Sequence, residues 1–188
     1  FERERVIEYF SQIRWQSMDV ENGFLNVVRS LYQLGLTVIF LPSMPNIHIR
    51  GATFCVNEKP CIVINDYVGF YPTLWFSLIH ELYHVLFHWN EIVYSSFHLS
   101  DDGKGFNPSS QEEKEANDFA REYLFSKKKT AEISPNINDH SFVHNYSLLN
   151  HVHSSFPYLF NAVDSPESDK YAWGRAKKRN PDFSKLKS

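Results

Sequence analysis

Cysteine is nearly missing from this chain of 188 residues: there are two, Cys55 and Cys61, and they do not form a C-x-x-C pair. That excludes a disulfide scaffold and disfavours a thiolate metal site. Free thiols are expected, although the two could face each other across a hairpin. Excess charge is missing too. The net charge is -3 and the pI is near 6.3, which argues against nucleic-acid binding by the domain as a whole. No apolar run approaches the roughly 20 residues that span a bilayer. The best stretch, 68–79, is interrupted by Pro72, Thr73 and Ser77. No basic segment followed by an apolar one opens the chain, so a cytoplasmic setting without membrane contact is expected. Phe1 stands where a Met would start a complete chain, which suggests processing or excision from something longer. There is no internal repeat and no low-complexity segment.

What is present is apolar and aromatic: 43% hydrophobic residues and 16% Phe, Trp and Tyr. A chain of this length and composition should be globular, with one properly built core. Val6, Tyr9, Phe10 and Ile13 fall at helical spacing and predict a helix over 1–14. Phe24, Val27, Val28, Leu31 and Leu34 predict another over 20–34, stopped by Gly35. The β-branched stretch 36–41 reads as a buried strand. A turn at 42–46 leads to a second strand over 47–56, bent at Gly51, and a hairpin turn at 57–60 leads to a third over 61–65. Residues 73–89 form a largely buried helix that Thr73 could cap. The turn-rich segment 94–110 reads as a surface loop, with Gly103 and Gly105 permitting movement. Ser109 or Ser110 caps a helix over 111–125, and Lys127, Lys128 and Lys129 suit its C-terminus. Beyond it, 141–161 holds a helix ending near Pro157, and 167–180 another. This order predicts an α+β fold: a small antiparallel β-meander packed on helices.

Residues 80–84 read H-E-x-x-H. Four residues turn a helix through about 400°, so His80 and His84 share a face one turn apart and can reach one zinc ion. Glu81, rotated by roughly 100°, flanks such an ion without becoming a ligand, where it can act as a base and then an acid. Chance would give roughly 0.03 such matches in a chain of this composition. A catalytic zinc needs a third protein ligand. The helix "EEKEANDFA" places Glu113 and Asn117 on one face. A Glu ligand there, with Asn117 bonded to a ligand histidine, would complete the site. Glu112 and Glu115 are expected to face water. His88 is expected to be structural, because three ligands from one straight helix cannot easily surround an ion. His140, His144, His151 and His153 have no acidic partner at helpful spacing and read as surface or loop residues. Tyr83, Tyr94, His98 and Tyr123 could each donate to a developing oxyanion, and the residues do not choose among them. The C-terminal "KYAWGRAKKRNPDFSKLKS" is basic and reads as a solvated tail.

"HELYHVLFH" joined to "EKEANDFA" resembles the ImmA/IrrE family of zinc metallopeptidases, with its H-E-L-x-H-x-L-x-H and E-x-E-A-N-x-F-A patterns. "GATFCVNEKPCIVIND" is similar to the hairpin that leads to the family's active-site helix. The resemblance covers about residues 20–126. It implies a zincin-like active-site helix, Zn2+ held by His80, His84 and Glu113, Glu81 as the catalytic base, and Asn117 behind a ligand. Glu112 or Glu115 is the fallback ligand. The chain departs from the family at Tyr83, where Gly is common, and at Trp75-Phe76-Ser77, where Arg-Phe-Thr is common. Tyr83 could narrow the cleft or donate a proton. The implied organisation is a metallopeptidase domain over 1–130 and a helical C-terminal extension over 131–188 within the same compact unit. The implied activity is cleavage of a specific regulatory protein, such as a helix-turn-helix repressor or an antitoxin, in mobile-element, stress or phage-defence control. The substrate would lie along a strand, with 61–65 the expected one. A helix-turn-helix domain could precede Phe1, and direct nucleic-acid binding is not expected. The rival reading is a catalytically silent zinc-binding domain of an antitoxin-like transcription regulator. The intact Glu81 favours the enzyme.

Overall fold

In the computed structural model, which describes residues 1–41, 49–66, 68–100 and 110–187, the two amphipathic stripes form α1 (Arg3–Gln16) and α2 (Gly23–Gln33). Each buries the face that its spacing marked out: Val6, Phe10 and Ile13 in one, Phe24, Val27 and Leu31 in the other. Gly35, at φ 82, takes the left-handed conformation that ends α2, and the Leu36 N–H turns back to the Leu31 carbonyl.

Four strands follow: β1 (Thr37–Leu41), β2 (Gly51–Val56), β3 (Lys59–Asn65) and β4 (Phe97–Leu99), in the spatial order β1-β3-β2-β4. β2 and β3 make the expected hairpin. Its two-residue turn, Asn57 and Glu58, has positive φ at both positions, which matches the twist of antiparallel strands. β1 does not continue a meander. It runs parallel to β3, with Thr37 beside Cys61 and Leu41 beside Asn65, so the sheet is mixed. β3 is therefore hydrogen-bonded on both edges, and residues 61–65 cannot receive a further strand as expected. The hairpin register pairs Phe54 with Cys61 and Cys55 with Pro60. The two thiols are free, as expected, but they project from opposite faces and not toward each other. The turn at 42–46 lies outside the described residues.

The segment read as a loop is partly regular. α4 (Trp89–Ser95) ends in Ser96 at φ 72, and β4 then pairs antiparallel with β2. Three residues are too few to show alternation, so only the tertiary partner β2 reveals the strand. Gly103 and Gly105 lie outside the described residues.

α3 (Tyr71–Phe87) carries the H-E-x-x-H residues and is buried on nearly every side, between the sheet and α5 (Gln111–Phe125). Its N-terminus is Phe70, with Pro72 in the first turn. Thr73 does not cap it, and its hydroxyl donates instead to the Phe70 carbonyl at 2.6 Å. Ser110 caps α5, accepting from the Glu113 N–H. Lys127, Lys128 and Lys129 do not close α5. They open α6 (Lys127–Ile133), which Ser126 caps. The single helix expected over 141–161 is two, α7 (His140–Leu149) and α8 (Ser155–Asp164). His151 at φ 55 breaks them apart. Pro157 sits in the first turn of α8, where its missing N–H has no intrahelical acceptor to lose. α9 (Ala172–Arg179) follows. One hydrophobic core joins these helices to the rest, from Val6 through Trp75 and Phe160 to Phe183. The buried Arg121 ties α5, α6 and α8 together. It donates to the Phe125 carbonyl, Thr130 and Asp164, with its guanidinium 4.0 Å above the Phe160 ring. Among the described residues no helix is long and apolar enough to cross a membrane.

Candidate metal centre

α3 and α5 pack side by side, and that contact brings His80, His84 and Glu113 together. All three are buried, and their donor atoms lie within 4.8 Å of one another. His80 Nε2 is 3.1 Å from His84 Nε2 and 3.4 Å from Glu113 Oε2, and His84 Nε2 is 3.2 Å from Glu113 Oε1.

The outer nitrogens fix which atoms face inward. His80 Nδ1 is 3.0 Å from Asn117 Oδ1, an oxygen that can only accept. The imidazole therefore carries its proton on Nδ1 and presents a bare Nε2. His84 Nδ1 is 3.0 Å from His88 Nδ1, and by donating there His84 also turns a bare Nε2 inward. Two bare nitrogens and a carboxylate this close repel unless a proton or a cation lies among them. A tetrahedral zinc site with bonds of about 2.0 to 2.1 Å has ligand–ligand edges of about 3.3 to 3.4 Å. The three edges here are close to that, so the donor set fits such an ion in spacing and in chemistry.

Glu81 faces elsewhere. One residue along the helix from His80, it points to the sheet and is 1% exposed. Thr53 on β2 donates to its Oε2 at 2.7 Å, and Ser100, just after β4, donates to its Oε1 at 2.5 Å. Gly51 makes room for it: a Cβ on that residue would overlap Glu81 Oε1. Burial raises the proton affinity of Glu81, with the nearby His80 and the two hydroxyls opposing the rise.

His98 on β4 is the one of the four possible oxyanion donors that reaches this group. Its Nε2 is 2.7 Å from Glu113 Oε1 and its ring centre 4.0 Å from that of His84. Tyr123 donates to the Phe10 carbonyl, Tyr94 is fully exposed, and the Tyr83 hydroxyl is turned to Glu115 at 3.4 Å. Glu112 and Glu115 are exposed, as expected. Among the described residues no second group of metal-ligating side chains occurs, so His140, His144, His151 and His153 assemble nothing of this kind. Nothing in the sequence singled out Thr53 or Ser100. Hydroxyl residues are common in strands, and only the sheet register aims these two at a carboxylate. Gly51 carried a fainter signal, as a glycine inside a strand pattern.

The electrostatics are divided among the histidines. Burial, helped by repulsion from His80 and His98, pushes His84 down to about 4. The hydrogen bond to Glu113 raises His98. Burial alone would raise Glu113, but without an ion the protons that His80, His84 and His98 can share with it outweigh that and hold it below the usual carboxylate range.

Over residues 32–154 the chain matches the family model of a peptidase family described as the IrrE N-terminal-like domain. No curated protein and no solved structure matches it.

Two outcomes are expected. Gly51→Ala forces its methyl group against the Glu81 carboxylate and should destabilise the fold by about 1–3 kcal/mol, the usual cost of overpacking, measured by urea unfolding. In chelator-treated protein, acid should destabilise through His84. The unfolded chain takes up that proton near the ordinary value of 6.5, and the folded chain only near 4. Stability is therefore full above pH 6.5 and falls as pH drops toward 4, by on the order of 3 kcal/mol. His98 acts in the opposite sense: its contribution is full below pH 6.5 and is lost as pH rises through its elevated value. His84→Gln should flatten the acid limb of the urea midpoint against pH, and an unchanged slope would refute the assignment.

Proposed function

The chain belongs to the IrrE N-terminal-like family of metallopeptidases, and on that premise we propose that it is a zinc-dependent endopeptidase acting on a specific regulatory protein of the repressor or antitoxin type. The observation that carries this reading is the buried convergence of His80, His84 and Glu113, with the buried carboxylate of Glu81 beside it. His80 and His84 would hold the ion through Nε2 and Glu113 through its carboxylate, a donor set that suits zinc. When bound there, zinc supplies Lewis acidity toward a scissile carbonyl and toward water.

The remaining chemistry belongs to the chain. Glu81 takes a proton from the attacking water and returns it to the leaving amine. Its raised proton affinity suits both halves of that task. Thr53 and Ser100 keep the carboxylate in one orientation between the two steps. Asn117 and His88 hold the imidazoles so that their inward nitrogens stay bare.

The substrate segment adds to β4. Within the antiparallel pair, Ser100 N–H reaches the Gly51 carbonyl and Cys55 N–H the Ser96 carbonyl, so Ser96, His98 and Ser100 face β2. The N–H groups of Phe97 and Leu99 therefore point to the other edge. An extended peptide laid there passes beside His98 and the metal centre.

The test begins with metal content. Purified wild-type protein should hold about one zinc per chain, His84→Ala should lose it, and Glu81→Gln should keep it while losing about 10²–10⁴-fold in cleavage rate, the usual worth of a general base. Glu81→Gln should then retain the uncut partner in a pull-down. Adding Leu99→Pro, which removes one outward N–H and leaves the ladder to β2 intact, should release it. No zinc in any form, even after incubation with the metal, would sink the peptidase reading.

A further inference from the structure

β4 is three residues long, yet it carries a side chain that reaches the metal group from the sheet. His98 Nε2 lies 2.7 Å from Glu113 Oε1. An ionised carboxylate can only accept, so the imidazole is the donor. His98 does not belong to the set of three converging donors; it stands behind one of them. Of the three, His80 is braced by Asn117 and His84 by His88. Glu113 sits in the first turn of α5, where its own backbone N–H is occupied by the Ser110 cap. Its carboxylate has no neighbour on its own helix to brace it, and His98 supplies the brace from the sheet.

Resting on the metallopeptidase reading above, we propose that His98 is a positioning residue: by donating to Glu113 it fixes the third ligand, so that the affinity of the centre for zinc depends on the edge strand β4. The neighbouring residue contacts support the dependence. Thr53, directly across the ladder from His98, and Ser100, just past the end of β4, together hold Glu81. His98 and Ser100 share the inner side of the strand, while Phe97 and Leu99 are about half exposed on the other. β4 and the residue after it thus touch both buried carboxylates, and a chain that adds along the side of β4 facing away from β2 would steady both.

The test is a zinc dissociation constant, measured on the full chain by competition with a chromophoric chelator. Removing a side chain that braces a metal ligand typically costs 10–100-fold in metal affinity. His98→Ala is therefore expected to bind zinc 10–100-fold more weakly than wild type. His98→Phe keeps a ring against His84 but has no donor, and should be equally weak. His98→Gln places an amide N–H near the position of Nε2 and should return to within about threefold of wild type. The urea midpoint of each variant without metal checks that the fold is intact. Tight binding by His98→Ala and His98→Phe would overturn the proposal. So would a His98→Gln as weak as His98→Ala, because the ring and not its donor would then be what matters. Wild-type protein that binds no zinc at all is a different failure, and overturns the peptidase reading itself.

Discussion

Two carboxylates, Glu81 and Glu113, are buried within a few residues of each other in space, and much of the architecture serves to make that tolerable. An ionised carboxylate taken out of water is costly unless its oxygens are hydrogen-bonded or neutralised. Glu113 accepts from His98, and a proton or a cation held among Glu113, His80 and His84 balances the rest of its charge. Glu81 has a hydroxyl on each oxygen. These partners come from β2, β4 and the two helices, so the sheet must lie against α3 in one register. A shift of one residue in β2 or β4 would turn Thr53 or His98 to the other face and leave a charge stranded.

α3 shows the same constraint from the apolar side. Trp75, Leu78, Ile79, Leu82 and Val85 surround the polar residues of the motif and are all fully buried. A helix packed all round has no freedom to rotate, and that rigidity keeps His80 and His84 stacked toward α5. The Arg121 contacts hold α5 in turn, by tying it to α6 and α8 through a buried guanidinium that is satisfied by a carbonyl, a hydroxyl and a carboxylate.

Much of this could be read in advance because it is local. Helical periodicity located α1, α2, α3 and α5 to within a few residues, and the turn residues located the hairpin. The i, i+4 spacings put His80 with His84 on one face and Glu113 with Asn117 on another, while the meeting of those two faces was implied by the family resemblance and not by the spacing. What could not be read depends on pairing across long separations. The parallel partnership of β1 and β3 leaves no mark in either strand, since both are simply β-branched and apolar. β4 has no periodicity to detect, and with it Ser100 and the special place of His98 were invisible. The division between α7 and α8 turns on a left-handed His151, a residue type with no strong preference for that conformation, and on a proline that reads as an end when it marks a beginning.

The all-round burial of α3 also sets a schedule. Its walls come from α1 and α2, which are synthesised before it, and from α5 and α8, which are synthesised after it. A chain still emerging from the ribosome carries His80, Glu81 and His84 long before Glu113 exists to join them and before Phe156 and Phe160 can close the core. The three donors therefore cannot converge until α5 has followed α3 out of the ribosome, and the core around them cannot close until α8 has followed in turn.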